Sequence, residues 1–379
     1  MTDVSLRPLT THKSHRHSHN TGVLECQTIL QGRFRLNGLL GKGGFGEVYA
    51  GVTVSTGEEV AVKIAPNRKR HVLAHEADVM RSIQSAVGNA DPPGIPTLKF
   101  FGHDGDNTIL VMSVHGPSLE KLRSEMGRLS LKTVVMLGME MIDRIQFFHS
   151  TGFIHRDIKP GNFLMGVGKH AHEVYLIDFG LSTRHSHSGA WHRGRPTASK
   201  FVGTSWFASL RTHQGYAQSR RDDLEQLVYS LIYLHRGKLP WTELRHTDRT
   251  ERTRAIAAAK ENLSTAQICV CCPPQFEVLL TYVQKLKFDE IPRYEMCRNI
   301  IWSILHPSSA GPKPSLTYEW LTPERECETP KCVFPALRGS ETKHGTKNDE
   351  VARNDSEAKK SLRRRMPPAS STSHTAGKG

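Results

Sequence analysis

Cysteine is scarce in this chain of 379 residues: Cys26, Cys269, Cys271, Cys272, Cys297, Cys327 and Cys332 make an odd seven. They read as reduced, mostly buried thiols rather than a disulfide framework. The cluster Cys269-Val270-Cys271-Cys272 has no second pair at the spacing a zinc site needs. Long apolar runs are missing too; nothing approaches the ~18 residues of a membrane-spanning helix. The opening MTDVSLRPLTTHKSHRHSH lacks the apolar core of a secretory signal. Cytoplasm or nucleus is therefore the expected location. Acid is the third shortage: 37 Asp and Glu face 51 Lys and Arg, a net charge of +14. That excess suits acidic partners. Nucleic acid is indicated only by this charge, for no recognised binding module accompanies it.

The apolar fraction of 37% is low, and the deficit lies mainly at the two ends. Residues 1–32 form a polar arm with His12, His15, His17 and His19 close together, expected to be disordered. Residues 322–379, rich in Pro, Ser, Lys and Arg without apolar periodicity, are expected to be a second disordered segment. Its cluster Lys359-Lys360 and Arg363-Arg364-Arg365 fits a nuclear localisation signal or a nonspecific polyanion-binding tail equally well.

Between the ends, residues 33–321 read as one large bilobal unit. FRLNGLLGKGGFGEVYAG reads as strand, Gly-rich turn, strand, and places Gly41, Gly43 and Gly46 in G-x-G-x-x-G. In a dinucleotide-binding fold this motif opens a helix. Here Val48 and Tyr49 follow at once, and VTVSTGEEVAVKIA continues as a hairpin turning at Thr56-Gly57. A glycine loop between strands covers ATP phosphates, which backbone amides approach where no side chain intervenes. Phe45 at its tip would shield them from water. Lys63, closing VAVKI, is the expected α/β-phosphate contact. HVLAHEADVMRSIQSAV has helical spacing and presents Glu76 as a carboxylate partner for Lys63. A further hairpin, LKFFGHDGDNTILVMS, leads into SVHGPSLEKL, the expected hinge between lobes. Composition turns from strand-rich to helix-rich at about Gly116, so the lobes divide as 33–115 and 116–321.

The long apolar helix LKTVVMLGMEMIDRIQFFHS delivers the chain to HRDIKPGN. Asp157, Lys159 and Asn162 fit H-R-D-x-x-x-x-N, in which the Asp receives the proton of a substrate hydroxyl and the Asn holds magnesium. Asp178 opens D-F-G after the apolar strand EVYLI and supplies a second metal ligand.

With these parts assembled, the chain resembles a eukaryotic protein kinase. HRDIKPGNFLMG, IDFGLS, TASKFVGTSWFASL and SRRDDLEQLVYSLIYLHRGKLPW resemble the casein kinase 1 family specifically. That family lacks the usual A-P-E after the activation segment, and Ala208-Ser209-Leu210 stands there. The resemblance spans about Phe34 to Leu321 and implies an α+β bilobal fold: a small, mostly antiparallel sheet with one main helix, then a larger helical lobe. It implies transfer of the ATP γ-phosphoryl group, with Mg2+, to Ser or Thr of acidic or phosphorylated proteins, by a monomer. Its nucleotide site would comprise Gly41, Gly43, Phe45, Gly46, Val48, Ala61, Lys63, Glu76, Met112, Ser113, Val114 and Leu164. Lys159 would steady the moving phosphoryl group, and Asp223 would brace the catalytic loop from beneath. Ser356, Ser361, Ser370, Ser371 and Ser373 become candidates for self-phosphorylation.

Three positions depart from the family. Ser113 and His115 replace the usual hinge residues, and Trp206 stands where a phosphate-binding arginine is expected. An indole offers one N–H and no charge in place of a guanidinium fork. Arg252 is expected to match a second basic position of that pocket, and recognition of a priming phosphate to weaken or to pass to Arg193, Arg195 and Lys200, unless those charges only keep an exposed loop soluble. The rival from another class is a catalytically weak scaffold with the same fold. It would lack Lys63, Asp157, Asn162 or Asp178; all four are present.

Overall fold

The computed structural model describes residues 28–44, 46–88, 90–185, 201–244, 248–306 and 317–321. The expected arm falls outside this set except for its last five residues, as do Phe45, Arg193, Arg195, Lys200 and the segment 322–379.

The small lobe is a six-stranded antiparallel sheet. Its strands are β1 (Ile29–Leu30), β2 (Phe34–Gly43), β3 (Gly46–Thr53), β4 (Glu59–Pro66), β5 (Leu98–Asp104) and β6 (Asn107–Ser113), in the order β1-β2-β3-β4-β6-β5. Between β4 and β5 runs the helix α1 (Arg70–Val87). Alternating β-branched and aromatic residues make the sheet, with Phe34, Leu36, Tyr49, Val60, Val62, Ile64, Ile109 and Val111 in one buried cluster. Gly57 (φ 71°) and Gly105 (φ 55°) make the two tight hairpin turns, where a left-handed backbone favours glycine. The sheet starts earlier than the sequence suggests: Leu30 pairs with Phe34 and is buried. Its short apolar pair was invisible beside the polar arm. Helix α1 turns Leu73, Ala77, Val79, Met80 and Ile83 inward at helical spacing, and Glu76 lies on the same buried face.

The large lobe begins with α2 (Leu119–Met126) and α3 (Leu131–Ser150). Serine hydroxyls start both: Ser118 accepts from the Lys121 N–H at 3.1 Å, and Ser130 from the Thr133 N–H at 3.3 Å. Short strands β7 (Phe153–Ile154), β8 (Phe163–Met165), β9 (Val174–Leu176) and β10 (Thr183–Arg184) follow, pairing as β7 with β10 and β8 with β9. Then come α4 (Leu210–His213), α5 (Arg220–Arg236), α6 (Arg249–Asn262), α7 (Thr265–Ile268), α8 (Pro274–Lys285) and α9 (Tyr294–Trp302). Helix α5 is the axis of this lobe, buried from Arg220 to Leu234. A helix apolar or paired all round belongs in a core. Its polar residues are instead spent on neighbouring backbone, which positions the site. At the far end, Tyr318 is buried and Glu319 accepts the Ser130 N–H at 3.0 Å, capping the start of α3 from outside.

Candidate active site

The glycine hairpin joins β2 to β3, with Gly41 opposite Val48 and Gly43 opposite Gly46. Gly46 is the position that demands glycine: its φ is 155°, and a Cβ there would run into the Ile64 carbonyl of β4. Lys42 pairs with Glu47 across the hairpin at 2.7 Å, an exposed pair of small energetic weight.

Lys63 sits on β4 opposite Val48, nearly buried at 7% exposure. Its ammonium meets Glu76 Oε2 at 2.7 Å and Asp178 Oδ1 at 2.9 Å. Burial alone would lower the lysine pKa; the two carboxylates win and raise it, keeping the cation. Burial works to raise Asp178 in turn, but Lys63, with His155 and Lys159, holds it below the ordinary carboxylate range. Asp178 thus remains an anion aimed at the site. Its backbone is left-handed (φ 68°), and Phe179 behind it is buried, stacked on Phe148 at 5.2 Å and edge-on to His155 at 5.8 Å. The Lys–Glu pair is formed and the phenylalanine is packed inward, so one structure holds both elements in place together.

Val48, Ala61 and Met112 lie on the sheet, with Ala61 opposite Met112; Leu164 is on β8 in the large lobe. Ser113 and Val114 lead into the connector. The connector is fastened to the large lobe by Gly116 N–H to Met165 O at 2.7 Å and Met165 N–H to Pro117 O at 3.0 Å. Ser113 Oγ accepts the Thr97 N–H at 3.0 Å and lies 3.1 Å from His115 Nε2, while the His115 ring stacks on Tyr175 at 3.9 Å. Ser113 and His115 therefore bond to each other. Burial pushes His115 down to about 4, so its ring is neutral.

The loop His155–Asn162 hangs from α5. Asp223 accepts the N–H groups of His155 at 2.7 Å and Arg156 at 2.8 Å, and Gln226 Oε1 accepts that of Ile158 at 2.7 Å. Tyr294 O–H to His149 Nδ1 at 2.6 Å and His149 Nε2–H to Asp223 Oδ2 at 2.9 Å extend the support downward. Burial alone would raise Asp223; its His149 bond, His155 and the backbone donors hold it low and charged. Asp157 then receives Lys159 Nζ on Oδ2 at 2.6 Å and Thr204 O–H on Oδ1 at 2.7 Å, with Lys159 also 3.1 Å from the Thr204 hydroxyl. Asn162 Nδ2 donates to the Asp157 carbonyl at 2.9 Å, which leaves its amide oxygen as the free ligand atom. Two oxygen donors from Asn162 and Asp178 suit a magnesium ion otherwise held by phosphate and water. The residues present fit ATP with Mg2+.

Thr204, Gln226 and His149 were not singled out by sequence reasoning. For Thr204 the only signal was its place in the G-T pair of FVGTSWFAS. Gly203 ahead of it has φ 109° and packs against the Arg156 backbone, where a Cβ would stand 2.7 Å from the carbonyl oxygen. Where A-P-E is absent, Ser209 caps α4 and donates to Asp222 Oδ1 at 2.5 Å, and Leu210 N–H donates to Glu225 Oε1 at 3.1 Å. Trp206 is half-buried, its ring 6.3 Å from Tyr233, its carbonyl accepting Trp241 Nε1–H at 2.9 Å. Arg252 is exposed on α6, and the structure gives it no part in the Asp157 cluster.

A glycine hairpin over a buried lysine–carboxylate pair, facing an Asp–Lys–Thr cluster and two magnesium-type ligands, defines a phosphotransferase site. Residues 34–306 match the family model described as a protein kinase domain. The chain belongs to the protein kinase family, transferases that in general use ATP and Mg2+.

Proposed function

We propose that this protein is an active serine/threonine kinase of casein kinase 1 type, acting on acidic or phosphorylated proteins. The observation that carries this reading is the joint placement of Lys63, Glu76 and Asp178 on one side and Asp157, Lys159 and Thr204 on the other. Bound ATP would supply the γ-phosphoryl group, and a magnesium ion held here would disperse the charge on it. Lys63, fixed by Glu76, orients the phosphates beneath the glycine hairpin. Asp178 and the Asn162 amide oxygen would hold the metal. Asp157 orients the incoming hydroxyl and receives its proton, while Lys159 offsets the negative charge that develops. Lys63, Asp157, Asn162 and Asp178, whose loss would mark a scaffold, are all present, which supports the enzyme reading. Substrate choice rests on the residues around Trp206, with Arg252, Arg193, Arg195 and Lys200 as the cations for a priming phosphate.

The deciding experiment is ATP/Mg2+-dependent labelling of an acidic protein by the wild type and by Asp157→Asn. We expect labelling on Ser or Thr to fall at least about 100-fold in the variant, within the usual range for loss of a general base. Equal rates would overturn the catalytic assignment. Paired peptides with and without phosphoserine three residues upstream test the specificity. A strong priming preference lost on neutralising Arg252 alone would rule out a role for the other three cations.

A further inference from the structure

Lys260, on α6, is the most deeply buried lysine or arginine of the large lobe among the described residues, at 3% exposure. Among the described residues it has no carboxylate within ion-pair reach. Its ammonium instead donates to two backbone carbonyls, Ser205 O at 3.0 Å and Ala208 O. It also lies over the rings of Trp241 at 4.7 Å and Tyr229 at 4.8 Å. His213 Nε2, 3.4 Å from the ammonium, bonds to the same Ser205 carbonyl at 3.0 Å. Burial pushes Lys260 down to about 7, with Glu225 pulling weakly the other way. Glu225 is already engaged by Leu210 N–H, Tyr229 O–H at 2.9 Å and Arg211 at 3.8 Å. An apolar side chain would fill this place without the cost of desolvating a charge. The fold spends that cost on one short segment.

That segment is Thr204–Ala208. Its carbonyls at Ser205 and Ala208 are held by Lys260, and that of Trp206 by the Trp241 indole at 2.9 Å. Its first residue reaches Asp157 through the Thr204 hydroxyl at 2.7 Å. We propose that Lys260 is a positioning residue that clamps Thr204–Ala208 as the platform for the incoming protein substrate. The clamp stands in the part of the chain where A-P-E is missing, and it rests on the kinase reading above.

The test uses the full chain with two assays: phosphorylation of an acidic serine peptide, and slow hydrolysis of ATP without peptide. Lys63, Asp178 and Asn162 are untouched by Lys260→Met, so ATP hydrolysis and the KM for ATP should stay within about twofold. The KM for peptide should rise about tenfold or more, since losing charge-assisted bonds on two carbonyls frees the platform. Trp241→Phe, which removes the donor to the Trp206 carbonyl, should shift the peptide KM the same way by less. A folded Lys260→Met with unchanged peptide KM overturns the clamp. So do peptide and ATP activities that fall in parallel, for then Lys260 only supports the fold. Should circular dichroism show that variant unfolded, Lys260→Arg, with a cation of different reach, is read by the same two assays and the same criteria. A wild type with neither activity overturns the enzyme reading itself, which is a different result from an active wild type indifferent to Lys260.

Discussion

The two oxygens of Asp157 are taken up by separate partners, and each has its own consequence. Lys159 holds Oδ2 at 2.6 Å, and Thr204 holds Oδ1 at 2.7 Å. Thr204→Val keeps the shape and removes only the hydroxyl. We expect kcat for peptide to drop about tenfold, roughly 1.4 kcal/mol of transition-state positioning, with KM for ATP unchanged. Steady-state kinetics checks this. Lys63→Met is the harsher change, because it leaves Glu76 and Asp178 facing each other without their shared cation. Phosphoryl transfer should fall by at least about 100-fold, while removal of the charge strands a buried carboxylate and lowers the melting temperature as well. What could be read in advance at this scale was the set of residues whose neighbours in sequence give them away. Lys63 ends an alternating strand and Asp178 opens D-F-G. Thr204 and Lys260 have no such context: an ordinary threonine and an ordinary helix lysine acquire roles only when the fold brings them to segments 47 and 55 residues distant.

Elements with a strong period were legible from end to end. The apolar repeat of α3 sets Leu131–Ser150, and the hairpin turns at Gly57 and Gly105 fall where glycine follows a polar pair. Less legible was α5: the resemblance points to Asp223 as a brace, but not to a segment SRRDDLE buried throughout. Its charges satisfy backbone groups of other segments: Arg221 reaches the Leu286 carbonyl at 3.0 Å, and Arg220 that of Asp289 at 2.7 Å. No periodicity rule anticipates a buried charged turn whose partners are remote carbonyls and amides. Asp223→Ala tests this element. It strips the acceptor from two amides and from His149, each unpaired donor costing about 1–3 kcal/mol. Thermal denaturation should show a fall of several kcal/mol, and any folded fraction should be inactive, because the loop carrying Asp157 has lost its mooring.

At the scale of the molecule, acid should unfold this protein through its buried imidazoles. Burial lowers His115 to about 4 and His213 to about 3 from an ordinary 6.5. Between pH 6.5 and about 4 the unfolded chain binds protons that the folded one refuses, so stability falls as pH drops through that window. Each group contributes up to about 1.4 kcal/mol per pH unit. Asp222 runs the other way: burial raises it to about 6 from 3.8, so its contribution is full below 3.8 and lost as pH rises through 6. Two groups outweigh one, and the melting temperature should decline from pH 6.5 to 4. His115→Phe, which keeps a ring against Tyr175, should flatten the decline. The mooring of the catalytic loop on α5 has a further consequence, in time rather than energy. The amides of His155, Arg156 and Ile158 donate into α5, a helix buried from Arg220 to Leu234. Their protons should exchange with deuterated water only when the whole lobe opens, as slowly as those of the core. A segment without regular secondary structure would then keep one of the slowest clocks in the protein, and the loop that handles a moving proton would scarcely give up its own.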